Sequence, residues 1–143
     1  MPRGNIKMTY YLCYGAPLLD RSLDRRVDTL RLEGQGRLDG WKMTFSREDH
    51  QPNVVESPGA KVWGALYLIE EHKLAELDKE EAGGKRVSGT VYFEGRQEPA
   101  VWYTYPASAK GFPSKETVDA YVSLYVQAGL PKAQIDGALP VAK

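Results

Sequence analysis

The residues best placed for chemistry are two adjacent carboxylates, Glu80 and Glu81, at the end of a segment with helical periodicity. Across Glu70–Glu81 the apolar residues are Leu74 and Leu77 amid charged neighbours, the pattern of an amphipathic helix. Glu81 follows Leu77 by four residues and Leu74 by seven, so all three share one face. That face must pack inward, because it holds the helix's apolar stripe. Glu80 is rotated by about 100° toward Glu76 and Lys73, where solvent is expected. The spacing thus predicts one sheltered carboxylate and one solvated one. Carboxylates with little solvent shift toward values useful for proton transfer near neutral pH. A plainer role for Glu81 stays open: capping the helix end, or pairing with Lys85 or Arg86.

A second candidate is Tyr14-Gly15-Ala16-Pro17-Leu18. Glycine directly after a buried strand lets the chain turn and can aim successive N–H groups into a concave anion site. An ordinary strand-to-helix turn would use the same residues. Other constellations fail. Cys13 sits mid-strand with no histidine nearby in sequence, which leaves a thiol nucleophile without a base. His50 falls in a polar loop and His72 on a charged helix segment, so both are expected in solvent. Cys13, His50 and His72 are too few for the usual zinc site. Ser108 and Ser114 lack a nucleophile-elbow context. The run Lys79–Lys85 ends in Gly83-Gly84-Lys85, but it follows a helix and lacks the phosphate-loop spacing.

These candidates need a scaffold. Met8–Tyr14 is dense in aromatic and β-branched residues and reads as a first buried strand, with Tyr10, Leu12 and Tyr14 on one face and Tyr11 and Cys13 on the other. Asp20–Arg26 suits a short helix, and Leu30–Gln35 and Leu38–Phe45 suit two strands. Arg47–Gly59 is polar, with Pro52, Asn53, Pro58 and Gly59, and is expected as a surface loop holding a brief Val54–Val55 strand. Lys61–Ile69 reads as a strand buried on both faces. Gly83-Gly84 ends the Glu70–Glu81 helix. Val87–Phe93 and Ala100–Tyr105 form a hairpin around Gly95. Ser114 can cap a helix to Ala128, with Val118, Tyr121, Val122, Tyr125 and Val126 at helical spacing. Gly129 and Pro131 stop it, and Pro131 can open a short terminal helix. Trp63, Trp102 and the tyrosines lie in strand runs and are expected to pack in the core. Many strands with few helices in irregular order give an α+β domain with a curved or barrel-like sheet.

The 143 residues suit one domain, and 42% apolar with 27% charged content is ordinary globular composition. Lys+Arg and Asp+Glu both number 19, so no basic excess points to nucleic acid or an anionic membrane. Arg21, Arg25, Arg26 and Arg31 cluster, but Asp20, Asp24, Asp28 and Glu33 interleave with them as on a solvated face. Cys13 is the single cysteine, excluding an internal disulfide. No apolar run approaches a membrane span, and Met1–Lys7 has no signal-peptide core. A cytoplasmic protein is the expectation.

Taken in order, these motifs resemble the γ-glutamylcyclotransferase family, including its AIG2-like and γ-glutamylamine members. That family carries a first strand ending in Tyr-Gly-Ser-Asn-Leu, a Pro-Gly turn, a Val-Trp-Gly strand, Leu-Asp-x-x-Glu-Gly with the catalytic glutamate, and a late Pro-Ser helix closed by Gly-Leu-Pro. The chain has Tyr14–Leu18, Ser57-Pro58-Gly59, Val62-Trp63-Gly64, Leu77-Asp78-Lys79-Glu80-Glu81-Ala82, Pro113-Ser114-Lys115-Glu116-Thr117 and Gly129-Leu130-Pro131. The match spans about residues 8–135 of a single domain.

The resemblance implies a small mixed β-barrel flanked by helices. It also implies an enzyme in which a γ-glutamyl α-amine attacks its own γ-carbonyl, giving 5-oxoproline and a released amine. Glu81 would then be the general acid/base, with Tyr14, Gly15, Ala16, Pro17, Leu18 and Thr117 binding substrate. The implied partner is a small molecule, with no nucleic acid, membrane, metal or organic cofactor, on a monomer or homodimer. Ala16-Pro17 stands where Ser-Asn is usual, removing a hydroxyl, an amide and a backbone N–H. Each lost donor to an anion costs about 1.5–3 kcal/mol if it was used, so together they could weaken glutamyl recognition roughly a hundredfold. Ala82 and Thr117 also depart, from glycine and tyrosine. A binding module without turnover therefore stands as one alternative, and an interaction domain using the Trp102–Tyr105 hairpin as another.

Overall fold

The computed structural model describes residues 7–15, 31–47, 49–81, 83–107 and 113–139. Five strands close into a barrel: β1 (Met8–Cys13), β2 (Arg31–Thr44), β3 (Asn53–Glu70), β4 (Lys85–Phe93) and β5 (Arg96–Thr104). The order around the barrel is β1-β3-β2-β4-β5. All neighbours run antiparallel except β1 and β5, whose parallel pairing of Tyr10 with Ala100 and Tyr11 with Val101 closes the cylinder. Closure removes the free edges that an open sheet would expose. A 3₁₀ turn (Glu71–Lys73) and helix α1 (Leu74–Glu80) follow β3, and α2 (Lys115–Ala128) and α3 (Ala133–Ala138) follow β5. The expected mixed barrel flanked by helices is the observed fold. Among the described residues, no helix is long and apolar enough to cross a membrane.

Three sequence expectations are corrected in the long β2–β3 pair. The strands expected over Leu30–Gln35 and Leu38–Phe45 are one continuous β2. The Arg47–Gly59 loop is shorter than expected, because β3 already begins at Asn53 and runs straight through Pro58-Gly59. The cause is a bulge. Between the pairs Asp39–Lys61 and Trp41–Glu56, Gly40 alone on β2 faces Ser57, Pro58, Gly59 and Ala60 on β3. Gly40 (φ 87°) and Gly59 (φ 85°) supply the left-handed backbone that lets the ladder resume beyond it. The Pro-Gly signal marks an interruption within one strand and not a boundary between two. Nor is Lys61–Ile69 buried on both faces: Lys61 is exposed and Trp63 and Tyr67 are half-buried, while Val62, Leu66 and Ile69 are enclosed.

The helix expected over Glu70–Glu81 is shorter than that: Glu70 still belongs to β3, Glu71–Lys73 make the 3₁₀ turn, and only Leu74–Glu80 is α-helical. The β4–β5 hairpin turns through Glu94 and Gly95. Ser114 caps α2 by accepting from the Thr117 N–H at 3.1 Å. Tyr121 and Tyr125 are the fully buried side chains of α2, whereas Val126 is exposed. On α3, Gln134 clasps the β3 backbone, accepting from the Trp63 N–H at 2.6 Å and donating to its carbonyl at 2.8 Å. The helix expected over Asp20–Arg26 lies outside the described residues.

Candidate active site

Helix α1 is short, and its orientation is set by Leu77, which is fully buried. Glu81 caps the helix, its N–H donating to the Leu77 carbonyl at 3.0 Å. Only 7% of Glu81 is exposed, whereas Glu80 next to it is solvent-facing. The helical-face reading therefore separates the two glutamates correctly. The pairing considered with Arg86 is not made: that guanidinium holds Asp78, at 3.1 and 3.2 Å.

What holds Glu81 is a pair of phenols. Tyr11 of β1 donates to Oε2, and Tyr105, just beyond β5, donates to Oε1. The parallel β1–β5 register explains the convergence. Tyr11 is opposite Val101, so the period-2 alternation of β5 puts Val101, Tyr103 and Tyr105 on the same side of the sheet as Tyr11. Helix α1 covers that side, and Tyr103 completes the contact by donating to Asp78 Oδ1 at 2.6 Å. The Tyr11 and Tyr103 rings meet edge to face at 5.9 Å.

Asn53 fixes Tyr105. Its Oδ1 accepts from the Tyr105 and Val54 N–H groups, each at 2.9 Å, and its Nδ2 donates to the Tyr105 carbonyl at 2.9 Å. The end of β5 is thus tied to the start of β3, and no donor or acceptor of this buried amide is left idle on that side.

The phenols stay protonated. Burial, then the nearby Cys13 thiol and Glu81 carboxylate, push Tyr11 well above its ordinary value. Burial followed by Glu81 does the same for Tyr105, and burial followed by Asp78 for Tyr103. Each is therefore a permanent hydrogen-bond donor at any physiological pH.

Glu81 forms one wall of a hollow that is also lined by Tyr14, Gly15, Arg47, Pro52 and Tyr105. The hollow is open to solvent at its mouth, and its volume, about 10 Å³, suits a single water-sized group. Tyr14 is braced twice: its hydroxyl donates to the Tyr103 carbonyl at 2.6 Å, and its own carbonyl accepts from Tyr125 of α2 at 2.5 Å. Gly15 is required by close approach and not by a left-handed turn. A Cβ there would sit 2.9 Å from Pro52 Cβ.

Of the sequence-predicted site residues, Glu81, Tyr14 and Gly15 come together around this hollow. Ala16, Pro17 and Leu18 lie outside the described residues. Thr117 stands in the first turn of α2, its hydroxyl accepting from Ser114 at 2.9 Å, and is not among the described lining residues. Sequence reasoning missed Tyr11, Tyr105 and Arg47. The tyrosines were expected to pack in the core, and Tyr11 does so while also presenting its hydroxyl. An aromatic run carries no sign of which hydroxyl meets a carboxylate. Cys13, dismissed as a nucleophile, does line the hollow, but it is buried, and among the described residues no histidine joins it there.

Comparison with known proteins agrees with this architecture. A solved structure named as a gamma-glutamyl cyclotransferase superposes with a TM-score of 0.76 at 19% identity, covering 96% of this chain and 91% of that one. An uncharacterised human protein gives 0.74 at 19%, covering 95% and 90%. YkqA from Bacillus subtilis gives 0.68 at 20%, covering 95% of this chain and 56% of its own. At such identities the likeness establishes the fold. No curated protein matches the chain significantly. The family described as gamma-glutamyl cyclotransferase, AIG2-like, matches residues 11–128. With most of its length matched and its barrel shared, the chain belongs to the AIG2-like γ-glutamyl cyclotransferase family.

Proposed function

We propose that the chain cyclises a γ-glutamyl amine or amino acid to 5-oxoproline, with Glu81 as the general acid/base. The observation that carries this reading is a buried carboxylate, oriented by two phenols, facing a hollow bordered by the Tyr14–Gly15 turn. An ionised carboxylate offers about four lone-pair directions, of which the phenols take two. Each oxygen keeps one for a substrate N–H.

In the reaction the neutral α-amine attacks the γ-carbonyl carbon, forming the ring C–N bond. Glu81 accepts the proton that the attacking nitrogen sheds. It then delivers that proton to the departing nitrogen as the old amide C–N bond breaks, so the carboxylate ends as it began. Five-membered closure is intramolecular, and orienting the chain contributes much of the rate. Backbone donors following Tyr14 are suited to the oxyanion on the γ-carbonyl oxygen. Tyr125 and Pro52 support that turn from two sides. Ala16 and Pro17 would narrow or shift substrate choice, since Pro17 contributes no N–H.

The test is 5-oxoproline release from a panel of γ-glutamyl amines and γ-glutamyl amino acids. Turnover of at least one is expected. Thermal stabilisation by 5-oxoproline without any product over long incubation would instead favour a binding module on this barrel.

A further inference from the structure

Glu81 is not the only charge at the hollow. Arg47, three residues past the end of β2, lines it as well, with its side chain only 19% exposed. Its guanidinium lies over the Tyr105 ring, Cζ 3.7 Å from the centroid, and Tyr105 reaches Glu81 with its hydroxyl. One aromatic ring therefore carries a cation on its face and a carboxylate at its tip. The stack fixes the guanidinium plane. Asp49 holds one edge, accepting from Nη2 at 3.0 Å. Arginine has five N–H donors in a planar fork, and among the described residues Nε and Nη1 have no protein acceptor.

We propose that Arg47 binds the α-carboxylate of the γ-glutamyl head and so decides that the substrate must carry a free one. The inference rests on the cyclotransferase reading above and assigns a recognition residue within it. The α-carbon of such a head bears an amine and a carboxylate of opposite charge in the zwitterion. The hollow offers the matching pair, Glu81 for the nitrogen and Arg47 for the carboxylate. Seating the carboxylate on Arg47 leaves the Tyr14–Gly15 turn for the oxyanion, so the two anionic groups do not compete for one site. It also offsets part of the recognition lost with Ala16-Pro17. The head is placed by its own charges, which makes discrimination independent of the leaving amine.

The experiment compares wild type with Arg47→Gln and Arg47→Lys on two γ-glutamyl anilides, one with a free α-carboxylate and one with that group amidated. Calorimetric binding of 5-oxoproline and of 2-pyrrolidinone, the same ring without a carboxylate, is measured in parallel. For Arg47→Gln we expect KM on the free acid to rise about 10- to 100-fold, with kcat changed less than threefold. The α-amide should lose far less than the free acid does, so the preference for the free acid collapses; 5-oxoproline binding should weaken as KM does, and 2-pyrrolidinone binding should weaken much less. Arg47→Lys should recover part of the loss. If Arg47→Gln keeps the wild-type KM and the wild-type preference for the free acid, the assignment of Arg47 is wrong while the cyclotransferase reading stands. If wild type neither binds 5-oxoproline nor turns over any γ-glutamyl substrate, the broader reading falls and this one with it.

Discussion

Tyr11 and Glu81 are 70 residues apart in sequence and joined by a hydrogen bond, β1 holding the carboxylate that ends α1. Tyr105 holds the other oxygen. Two phenols on adjacent parallel strands thus fix both the position and the rotation of the carboxylate. Either one alone would leave it a hinge.

Removing one phenol hydroxyl should therefore cost rate more than binding. For Tyr11→Phe and Tyr105→Phe we expect kcat to fall about 10- to 100-fold, as befits a lost hydrogen bond to a charged group, with KM changed less than threefold. Steady-state kinetics on any accepted substrate gives the split. An unchanged kcat in both variants would show that neither tyrosine positions the carboxylate.

The turn that follows β1 is supported from behind. Tyr125→Phe removes the donor to the Tyr14 carbonyl, and Gly15→Ala forces a methyl against Pro52. The first should raise KM several-fold, consistent with about 0.5–1.5 kcal/mol for a neutral hydrogen bond. The second should also lower stability by about 1–3 kcal/mol, the cost of overpacking. Denaturant midpoints and KM together would separate the two effects.

Leu77 is the anchor of α1 and has no solvent exposure. Leu77→Ala should destabilise the protein by about 2–5 kcal/mol and reduce activity in the surviving folded fraction, because Glu81 rides on the same turn. A variant destabilised to that extent but fully active per folded molecule would uncouple the anchor from the site.

Alkaline pH should weaken the fold through its buried tyrosines. In the unfolded chain each phenol ionises near 10. In the folded protein Tyr11, Tyr14, Tyr103 and Tyr105 are all pushed above that by burial first. Between those values the unfolded state binds fewer protons than the folded state, so unfolding becomes easier as pH rises. The contribution is complete below pH about 10 and is lost above it. Thermal melting should decline beyond pH about 10, with phenolate absorbance from these residues appearing only on unfolding. Titration of all nine tyrosines near pH 10 in the folded protein would contradict this.

Much of this was legible in the sequence, and for identifiable reasons. The Leu74–Leu77–Glu81 spacing reports a helical face directly, so the sheltered glutamate could be named from it. Ser114 and Gly129 bracket α2 through local chemistry that needs no tertiary contact. The β2–β3 pair was misread because Pro58-Gly59 has one local signature in a loop and in a bulge, and only pairing opposite Gly40 distinguishes them. Tyr105 and Arg47 were invisible for a related reason. Their roles come from the barrel's closure and from Asn53 tying β3 to β5, contacts between residues more than 50 positions apart.

The most direct measurement is 5-oxoproline formation by wild type and Glu81→Gln, a change that keeps the side chain's shape while removing its capacity to take a proton. With a substrate that wild type accepts, the variant should lose about 10²- to 10⁴-fold in kcat, the usual share of a general acid/base, while still binding 5-oxoproline. A variant that forms 5-oxoproline within about threefold of the wild-type rate would contradict the role assigned to Glu81.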